Sequence, residues 1–196
     1  MPTAVPPDAA PVVTPRLRLE VLDAASVLAL ADGRSLSELG HSDPYDVLDV
    51  AEHVLRLRAA QLRENPEHAP WLLRLVVQRG SNAAVGYVNF HAPPDADGMV
   101  EIGYQIVPAA RRRGYATEAA HAMWVWAAER GARVLRASIA PHNAPSLALV
   151  QGAGFVHVGS EMDEVDGLEH VYERPAAGLA CRGDERLTDV GQRPLT

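Results

Sequence analysis

Three consecutive arginines stand before a glycine in the stretch PAARRRGYATEAA, residues 108–120. The pattern Arg111-x-x-Gly114-x-Ala116 follows a predicted strand and begins a predicted helix. The first N–H groups of a helix have no partner within the helix, and the helix dipole adds partial positive charge there. Gly114 lets the backbone approach a ligand closely, and guanidinium groups add charge-assisted donors. These residue types at this spacing predict a pyrophosphate cradle, with a solvated basic turn as the alternative.

Hydrophobic periodicity indicates which elements would position this loop. The first half of the chain predicts a strand, two helices and three strands, at residues 16–22, 23–30, 46–63, 71–78, 83–91 and 99–107. Asp23 is placed to cap the first helix, and the second helix should end before Pro66. The short links between the three strands favour an antiparallel meander.

The second half of the chain alternates between helices and strands. The predicted elements are a helix, a strand, a helix and two strands, at residues 114–129, 133–140, 143–153, 155–161 and 168–174. Gly131 is placed to end the first of these helices. Trp124 and Trp126 cannot share one helix face, so we expect one of them in the core and the other partly exposed or at an interface. The whole order describes an α/β sandwich with a mixed sheet.

The ends of the chain differ in composition from its middle. Residues 1–15 contain five prolines and little that could pack, which predicts a loose N-terminal arm. Residues 16–174 form one predicted domain, and 175–196 form a tail to which no structure is assigned. A chain of 196 residues is long enough for one well-formed core and short for two.

Composition excludes several functions. A formal net charge of -7 leaves no broad basic face, which argues against a nucleic-acid partner. The sequence has no apolar run of the length that spans a bilayer and no secretory signal pattern, so we expect no membrane partner. Cys181 is the only cysteine, which fits a reducing cytoplasm, and the histidines show no metal-ligand spacing. We therefore predict a cytoplasmic protein without a metal.

Two longer stretches resemble a known family. EIGYQIVPAARRRGYATEAA resembles the acetyl-CoA-binding signature of the GNAT (Gcn5-related N-acetyltransferase) superfamily, and ASIAPHNAPSLALVQGAGF resembles its next strand and helix. TPRLRLEVLDAAS is similar to the opening of the branch that holds the bacterial ribosomal-protein N-terminal acetyltransferases. The resemblance covers about residues 14–174. It implies a mixed, mostly antiparallel sheet with helices on both faces and a splayed central strand pair.

The resemblance also implies acetyl-CoA as co-substrate and a set of residues that contact it. The strand before the loop would bind the pantetheine arm through Gln105, Ile106 and Val107. The pyrophosphate would be received by Arg111, Arg112, Arg113, Gly114, Tyr115, Ala116 and Thr117, with at least one guanidinium directed elsewhere. Asn143 would contact the pantetheine arm and Ser146 would lie near the CoA sulfur, although the N-x-x-S pattern is also typical of a helix N-cap.

Acetyl transfer to an amine needs a neutral amine, a stabilised carbonyl oxygen and a proton for the leaving thiolate. The resemblance implies that Glu101 serves as the base, directly or through water, and that Ser146 supplies the proton. A solvent-facing carboxylate, or one that only binds the ammonium, is the alternative for Glu101. His91 is a lesser catalytic candidate because a lone strand-end histidine is usually a surface residue. We expect Tyr104 to pack rather than react.

The expected function is transfer of an acetyl group from acetyl-CoA to a primary amine, such as a protein N-terminal α-amine, through a ternary complex. The alternatives are acetylation of a small-molecule amine and a non-catalytic acyl-CoA-binding module. Acidic residues in the loops at 33–45 and 92–98 would attract a cationic acceptor, unless they are ordinary solvated charges. A homodimer is expected from the resemblance alone.

Overall fold

A computed structural model describes residues 10–163 and 167–179, so Cys181 lies outside the described part of the chain. Within these ranges eight strands form one sheet: β1 (Val12–Val13), β2 (Leu17–Val21), β3 (Arg74–Gln78), β4 (Ala84–Phe90), β5 (Met99–Ile106), β6 (Val134–Ile139), β7 (Val156–Asp163) and β8 (Gly167–Pro175). The α-helices of the same ranges are α1 (Ala24–Ala31), α2 (Val47–Glu64), α3 (Ala69–Leu72), α4 (Tyr115–Ala128) and α5 (Ala144–Gly152).

The sheet has the predicted mixed, mostly antiparallel topology. Its strand order is β1-β2-β3-β4-β5-β6-β8-β7, and β5 and β6 form the parallel pair. Every residue of β4 is buried, which requires cover on both faces of the sheet because successive side chains point to opposite sides. α2 packs against β4, and α4 packs against β5 and β2. The fold class predicted from the sequence is confirmed.

The central parallel pair is short and then splits. β5 and β6 are paired at Met99 with Val134, at Val100 with Leu135 and at Glu101 with Arg136. Beyond these positions β5 continues along β4 while β6 continues along β8. The two strands therefore leave a gap that begins at residue 102 of β5 and residue 137 of β6.

The N-terminal segment is more ordered than the sequence predicts. Val12 pairs with Leu19, and the Thr14 N–H donates to the Leu17 carbonyl. The described part of the predicted loose arm is therefore an edge strand with a tight turn. This segment is ordered by backbone hydrogen bonds to β2, which the spacing of apolar residues does not predict. Residues 1–9 lie outside the described part of the chain.

Local sequence signals explain most helix boundaries. The Asp23 carboxylate accepts from the Ser26 N–H at 2.7 Å and so caps α1 as predicted. α2 ends at Glu64, before Pro66. The strand predicted over 71–78 begins only at residue 74, because α3 occupies its first positions. Pro70 lies in the first turn of α3, where its missing N–H removes no helical hydrogen bond.

Both tryptophans of α4 lie in the core, so neither is the partly exposed or interface residue that the sequence led us to expect. Trp124 is 1% exposed and Trp126 is 5% exposed. Trp124 packs on Phe155 at 4.7 Å between ring centroids, whereas Trp126 packs on Trp71 at 4.6 Å. The two rings leave the helix in different directions, and both directions are covered.

Candidate active site

Two cavities meet where β5 and β6 separate. The larger cavity holds about 1660 Å³ and is lined by the arginine loop, α4, α5 and the N-terminal strand β1. The smaller cavity holds about 450 Å³ and lies in the gap between Ile102 of β5 and residues 137–140, at the end of β6 and just beyond it. The residues that line both cavities are Tyr104, Asn143, Pro145 and Ser146. A ligand held in the larger cavity can therefore reach a second molecule in the smaller one at this junction.

The loop before α4 presents a row of backbone donors. Among the described residues, the N–H groups of residues 112–117 make no hydrogen bond, and the Glu118 N–H is the first to bond, to the Gly114 carbonyl. Arg112 and Gly114 both have left-handed backbones, with φ of 62° and 77°. Alternation of this kind turns successive N–H groups toward one point, which is the geometry of an anion nest. The loop has the shape that the sequence predicts for a pyrophosphate cradle.

The three arginines have different environments. Arg111 and Arg112 line the larger cavity, as do Gly114, Tyr115, Ala116 and Thr117. The Arg111 Nε atom donates back to the Ile106 carbonyl at 2.8 Å. Arg113 is not among the lining residues, and its carbonyl accepts from Arg16 Nη1 at 2.8 Å.

The backbone groups of β5 point alternately toward β4 and toward the gap, and on the gap side the Ile106 carbonyl already accepts from Arg111 Nε. The Glu101 carbonyl accepts from the His91 N–H, and the Val107 N–H donates to the Val85 carbonyl. Odd-numbered residues of β5 thus bond to β4, so the even-numbered ones direct their backbone groups toward the gap. Gln105 and Ile106 line the larger cavity, whereas Val107 does not. Of the three residues predicted to bind the pantetheine arm, only Ile106 has its backbone directed toward the gap.

Tyr104 is the residue that the sequence analysis assigned to packing alone. Its side chain lines both cavities, and its buried hydroxyl has no hydrogen-bond partner among the described residues. Burial raises the pKa of Tyr104, and the nearby Ser146 side chain opposes this rise without completing a hydrogen bond of good geometry. The phenol therefore stays protonated at neutral pH. The alternation of β5 indicates only that the backbone of Tyr104 faces the gap, since side chains stand perpendicular to the sheet.

A second buried donor lines the larger cavity. The Trp124 indole N–H has no partner among the described residues, although the side chain is 1% exposed. Buried donors without partners are rare in folded proteins, and those that line cavities are suited to ligand acceptors. An acyl-CoA, with amide carbonyls in its arm and phosphates at its end, carries acceptors of the kind that these donors require.

Asn143 and Ser146 stand at the start of α5. The Asn143 Oδ1 atom accepts from the Ser146 N–H at 3.3 Å, so the capping interpretation of the N-x-x-S pattern is confirmed. Both side chains also line the two cavities. The cap leaves the Ser146 hydroxyl and the Asn143 amide N–H groups available to a ligand.

Glu101 lies at the edge of this junction rather than in it. It occupies the last paired position of β5 opposite Arg136, its side chain is 15% exposed, and it lines neither of the two cavities described above. It lies three positions before Tyr104, which corresponds to about 10 Å along a strand. Its nearest titratable partner is His91, with 3.9 Å between Oε2 and Nδ1.

A buried cation supports this pair from behind the sheet. Arg58 is 2% exposed, and its Nη1 atom donates to the His91 carbonyl at 3.1 Å. The side-chain amide of Asn89 is oriented so that both its oxygen and its nitrogen have hydrogen-bond partners. In this orientation the Asn89 oxygen accepts from Arg58 Nη2 at 2.8 Å, and the Asn89 nitrogen donates to the Gly103 carbonyl at 3.2 Å. No carboxylate in the described part of the chain forms an ion pair with Arg58. Its spacing with Leu55 and Leu62 on α2 is the sequence signal that could have found it.

The β7–β8 hairpin brings acidic side chains to the smaller cavity and to Ser138, which lines it. Glu169 lines the smaller cavity, and Glu161 accepts from the Ser138 hydroxyl at 2.9 Å. Several of the loop acids predicted to form a rim instead have local structural roles. Asp95 accepts from the Asp97 and Met99 N–H groups, and Asp43 accepts from the Val47 N–H at the start of α2.

Neither metal-binding nor membrane-spanning features stand out in residues 10–163 and 167–179. No group of three or more His, Cys, Asp or Glu side chains in these ranges is arranged to hold a metal ion. None of the helices in the same ranges combines the length and apolar character that crossing a bilayer requires. The absence of a metal remains a prediction.

Comparison with known proteins agrees with the predicted fold and family. A profile of the acetyltransferase (GNAT) domain matches residues 16–156. A Bacillus subtilis (strain 168) protein described as the uncharacterized N-acetyltransferase YjdG is 30% identical over 123 residues, which cover 60% of this chain and 71% of that protein. The chain belongs to the GNAT acetyltransferase family, and it is an acyltransferase of the N-acetyltransferase type.

Solved structures of similar fold include enzymes that act on ribosomal proteins. The ribosomal-protein-S5-alanine acetyltransferase from Vibrio fischeri superposes with a TM-score of 0.60 at 15% identity, over 88% of this chain and 100% of that one. RimL, a ribosomal L7/L12 alpha-N-protein acetyltransferase solved in complex with coenzyme A, gives a TM-score of 0.58 at 18% identity, over 84% and 97% of the two chains. At these identities the likeness establishes the fold.

Proposed function

We propose that this protein transfers an acetyl group from acetyl-CoA to a primary amine, by direct attack within a ternary complex. The observation that carries the proposal is the junction of the two cavities at Tyr104 and Ser146, with the unbonded N–H groups of residues 112–117 along the larger one. One cavity suits a long anionic carrier, and the other leaves room for an acceptor beside the reacting end.

Acetyl-CoA is held in this proposal by backbone groups more than by side chains. The N–H groups of residues 112–117 bind the pyrophosphate, and Arg111 and Arg112 add charge. The pantetheine arm lies in the gap along β5, where Tyr104 and Ile106 direct their backbone groups toward it. Asn143 and Trp124 supply further donors to the arm. This arrangement brings the thioester to the junction.

The chemistry at the junction requires proton movement in two places. A protein α-amine has a pKa near 8, so part of it is neutral at pH 7 and the remainder must lose a proton before attack. Glu101 takes that proton through water, since it stands about 10 Å from Tyr104 along β5. The C–N bond then forms and the C–S bond breaks, and the proton that the attacking amine loses goes to the departing CoA thiolate. The hydroxyls of Tyr104 and Ser146 donate hydrogen bonds to the developing oxyanion or to that thiolate. The phenol suits this role because its raised pKa keeps the proton in place.

The acceptor in this proposal is the α-amine of a protein N-terminus. The fold relatives named for ribosomal proteins support it, and the smaller cavity, of about 450 Å³, offers room for an acceptor. Glu169 in that cavity favours a cationic amine of any kind, so a polyamine or an amine-bearing antibiotic is the second candidate. A homodimer remains a prediction from the family resemblance.

Release of free CoA from acetyl-CoA, measured with a panel of acceptors, tests the proposal. The panel holds peptides with free N-termini, the same peptides with blocked N-termini, spermidine and an aminoglycoside. We expect turnover with the free peptides and none with the blocked ones. Turnover with spermidine or the aminoglycoside alone would select the second candidate. CoA binding without turnover on any acceptor would contradict both.

A further inference from the structure

A carboxylate stands in the first turn of α4, close to the predicted phosphate position. Glu118 lines the larger cavity together with Gly114 and Thr117, and its N–H is the one that closes the first helical turn. A negative charge here interacts favourably with the helix dipole, but it repels a bound phosphate. The site therefore needs a way to neutralise Glu118 if it is to bind a pyrophosphate well.

The N-terminal segment supplies that neutralisation. The Thr14 hydroxyl donates to Glu118 Oε1 at 2.5 Å, the Arg16 N–H donates to the same oxygen at 2.9 Å, and Arg16 Nε donates to Oε2 at 2.6 Å. Burial raises the pKa of Glu118, but the hydrogen bonds from Thr14 and Arg16 outweigh it, and the pKa is lowered overall. The carboxylate is therefore ionised at neutral pH, with both oxygens occupied by donors from one segment.

Arg16 also holds the loop itself. Its Nη1 atom donates to the Arg113 carbonyl at 2.8 Å, and its guanidinium carbon lies 5.0 Å from the centre of the Tyr115 ring. A peptide unit is planar, so a carbonyl fixed toward Arg16 directs the N–H of Gly114 the opposite way. The Tyr115 hydroxyl in turn accepts from Gln78 Nε2 at 2.7 Å on β3.

We propose that residues 14–16 are a working part of the CoA site, with Arg16 as a positioning residue. Arg16 cancels the charge of Glu118 and fixes the Arg113 carbonyl, so that the N–H groups of residues 112–117 face the pyrophosphate. The inference rests on the proposed CoA site and adds to it a segment that lies about a hundred positions earlier in the chain. Thr14 and Arg16 line the same cavity, which places them beside the ligand.

A comparison of one substitution in two backgrounds tests this role. CoA affinity is measured by calorimetry for the wild type, Arg16→Met, Glu118→Gln and the double variant, together with kcat and KM for acetyl-CoA. Arg18→Met is the matched control, because Arg18 lies two positions later, on β2, bonds to Glu20 and Asn82, and does not line the cavity. Thermal unfolding of each variant verifies that it is folded.

We expect Arg16→Met to weaken CoA binding about tenfold, through loss of charge-assisted bonds and exposure of the Glu118 charge, and to raise KM without a matching fall in kcat. In the Glu118→Gln background the same substitution should weaken binding about threefold or less, since the repelling charge is gone. Arg18→Met should bind CoA as the wild type does.

Two results would overturn this inference while leaving the proposed function intact. One is wild-type affinity in Arg16→Met, and the other is an equal loss in both backgrounds, which would mean that Arg16 acts only as packing or as a direct phosphate ligand. A wild-type protein that binds no CoA would instead reject the proposed function.

Discussion

The Nδ1 atom of His91 lies 3.9 Å from Oε2 of Glu101, across the last hydrogen-bonded rung of β4 and β5. This separation is too long for a hydrogen bond, but it allows each charge to act on the other. The backbone joins the same two residues, since the His91 N–H donates to the Glu101 carbonyl at 2.9 Å. The pair is therefore held at a fixed spacing at the edge of the acceptor side.

The pKa of His91 predicts how stability changes with pH. Burial lowers this pKa below its ordinary value, Glu101 opposes the shift, and Arg58 adds to it. The unfolded chain therefore binds a proton at His91 before the folded chain does, so folding loses stability as pH falls through about 6.5 and below. Because half of the side chain remains in water, the effect is smaller than full burial would give.

Chemical denaturation at about pH 7.5 and about pH 5.5 measures this effect. We expect the wild type to lose more free energy of unfolding between these values than His91→Asn does. His53→Asn, which changes an exposed histidine of α2, should behave as the wild type. Identical pH dependence in wild type and His91→Asn would show that the fold does not disfavour the protonated imidazole.

The Tyr104 hydroxyl should contribute to the chemical step. Tyr104→Phe removes the unpartnered donor at the junction and leaves the ring in place, so we expect kcat to fall by about a hundredfold while KM for acetyl-CoA stays near its wild-type value. Steady-state kinetics separates the two parameters. Tyr45→Phe serves as a control because Tyr45 lies away from both cavities. A raised KM with unchanged kcat would assign Tyr104 to ground-state binding.

Gly114→Glu should abolish CoA binding. A Cβ atom at this position would lie 3.3 Å from Arg16 Nη2, and the added carboxylate would stand in the phosphate cradle. Gly131→Glu is a matched control, since Gly131 also has a positive φ, at the other end of α4, with open space around its Cβ position. In both variants a non-glycine residue with a left-handed backbone destabilises the folded protein by about 1–2 kcal/mol. If calorimetry showed an equal loss of CoA affinity in the two variants, the CoA site would lie elsewhere.

Substitution of Arg58 should lower the activity of the protein but not its free energy of unfolding. Burial lowers the pKa of Arg58 to about 10, which reflects the free energy needed to keep an unpaired cation inside the protein. Arg58→Met removes that penalty, so we expect the free energy of unfolding to stay within about 1 kcal/mol of the wild type or to rise. We expect kcat/KM to fall at least about tenfold, because Asn89 and the His91 carbonyl lose their donor.

Arg56→Met supplies the comparison for Arg58, since Arg56 is exposed on the same helix and pairs with Glu52. It should change neither property by a measurable amount. If Arg58→Met unfolded the protein and reduced activity in parallel, the guanidinium would be a stabilising element rather than a support for the site.

Local signals made the helices, most strands and the arginine loop predictable. The cap at Asp23, the helix end before Pro66 and the run from Arg111 to Thr117 each depend on residues close together in sequence. The sequence did not predict α3, because its four residues, which include Pro70, are too few to show a helical period. It did not predict the edge strand β1 either, because that strand is held by backbone hydrogen bonds to β2 and not by a recognisable apolar pattern.

Partners that lie far apart in the chain could not be predicted in this way. Hydrophobic spacing tells which face of an element is covered, but not what covers it. It therefore did not indicate that both Trp124 and Trp126 are buried, nor that the even-numbered residues of β5 direct their backbone groups away from β4.

The amino-acid sequence by itself indicated the fold class through the periodicity of its elements, and the family through two motifs that resemble it. It also predicts an anion cradle before α4, because a helix start offers N–H groups without partners. Only the tertiary structure decided that Tyr104 stands at the cavity junction, that Arg58 lies behind His91, and that Arg16 closes on Glu118. These contacts join residues from different elements, and their geometry exists only once the sheet has split and the N-terminal strand has paired.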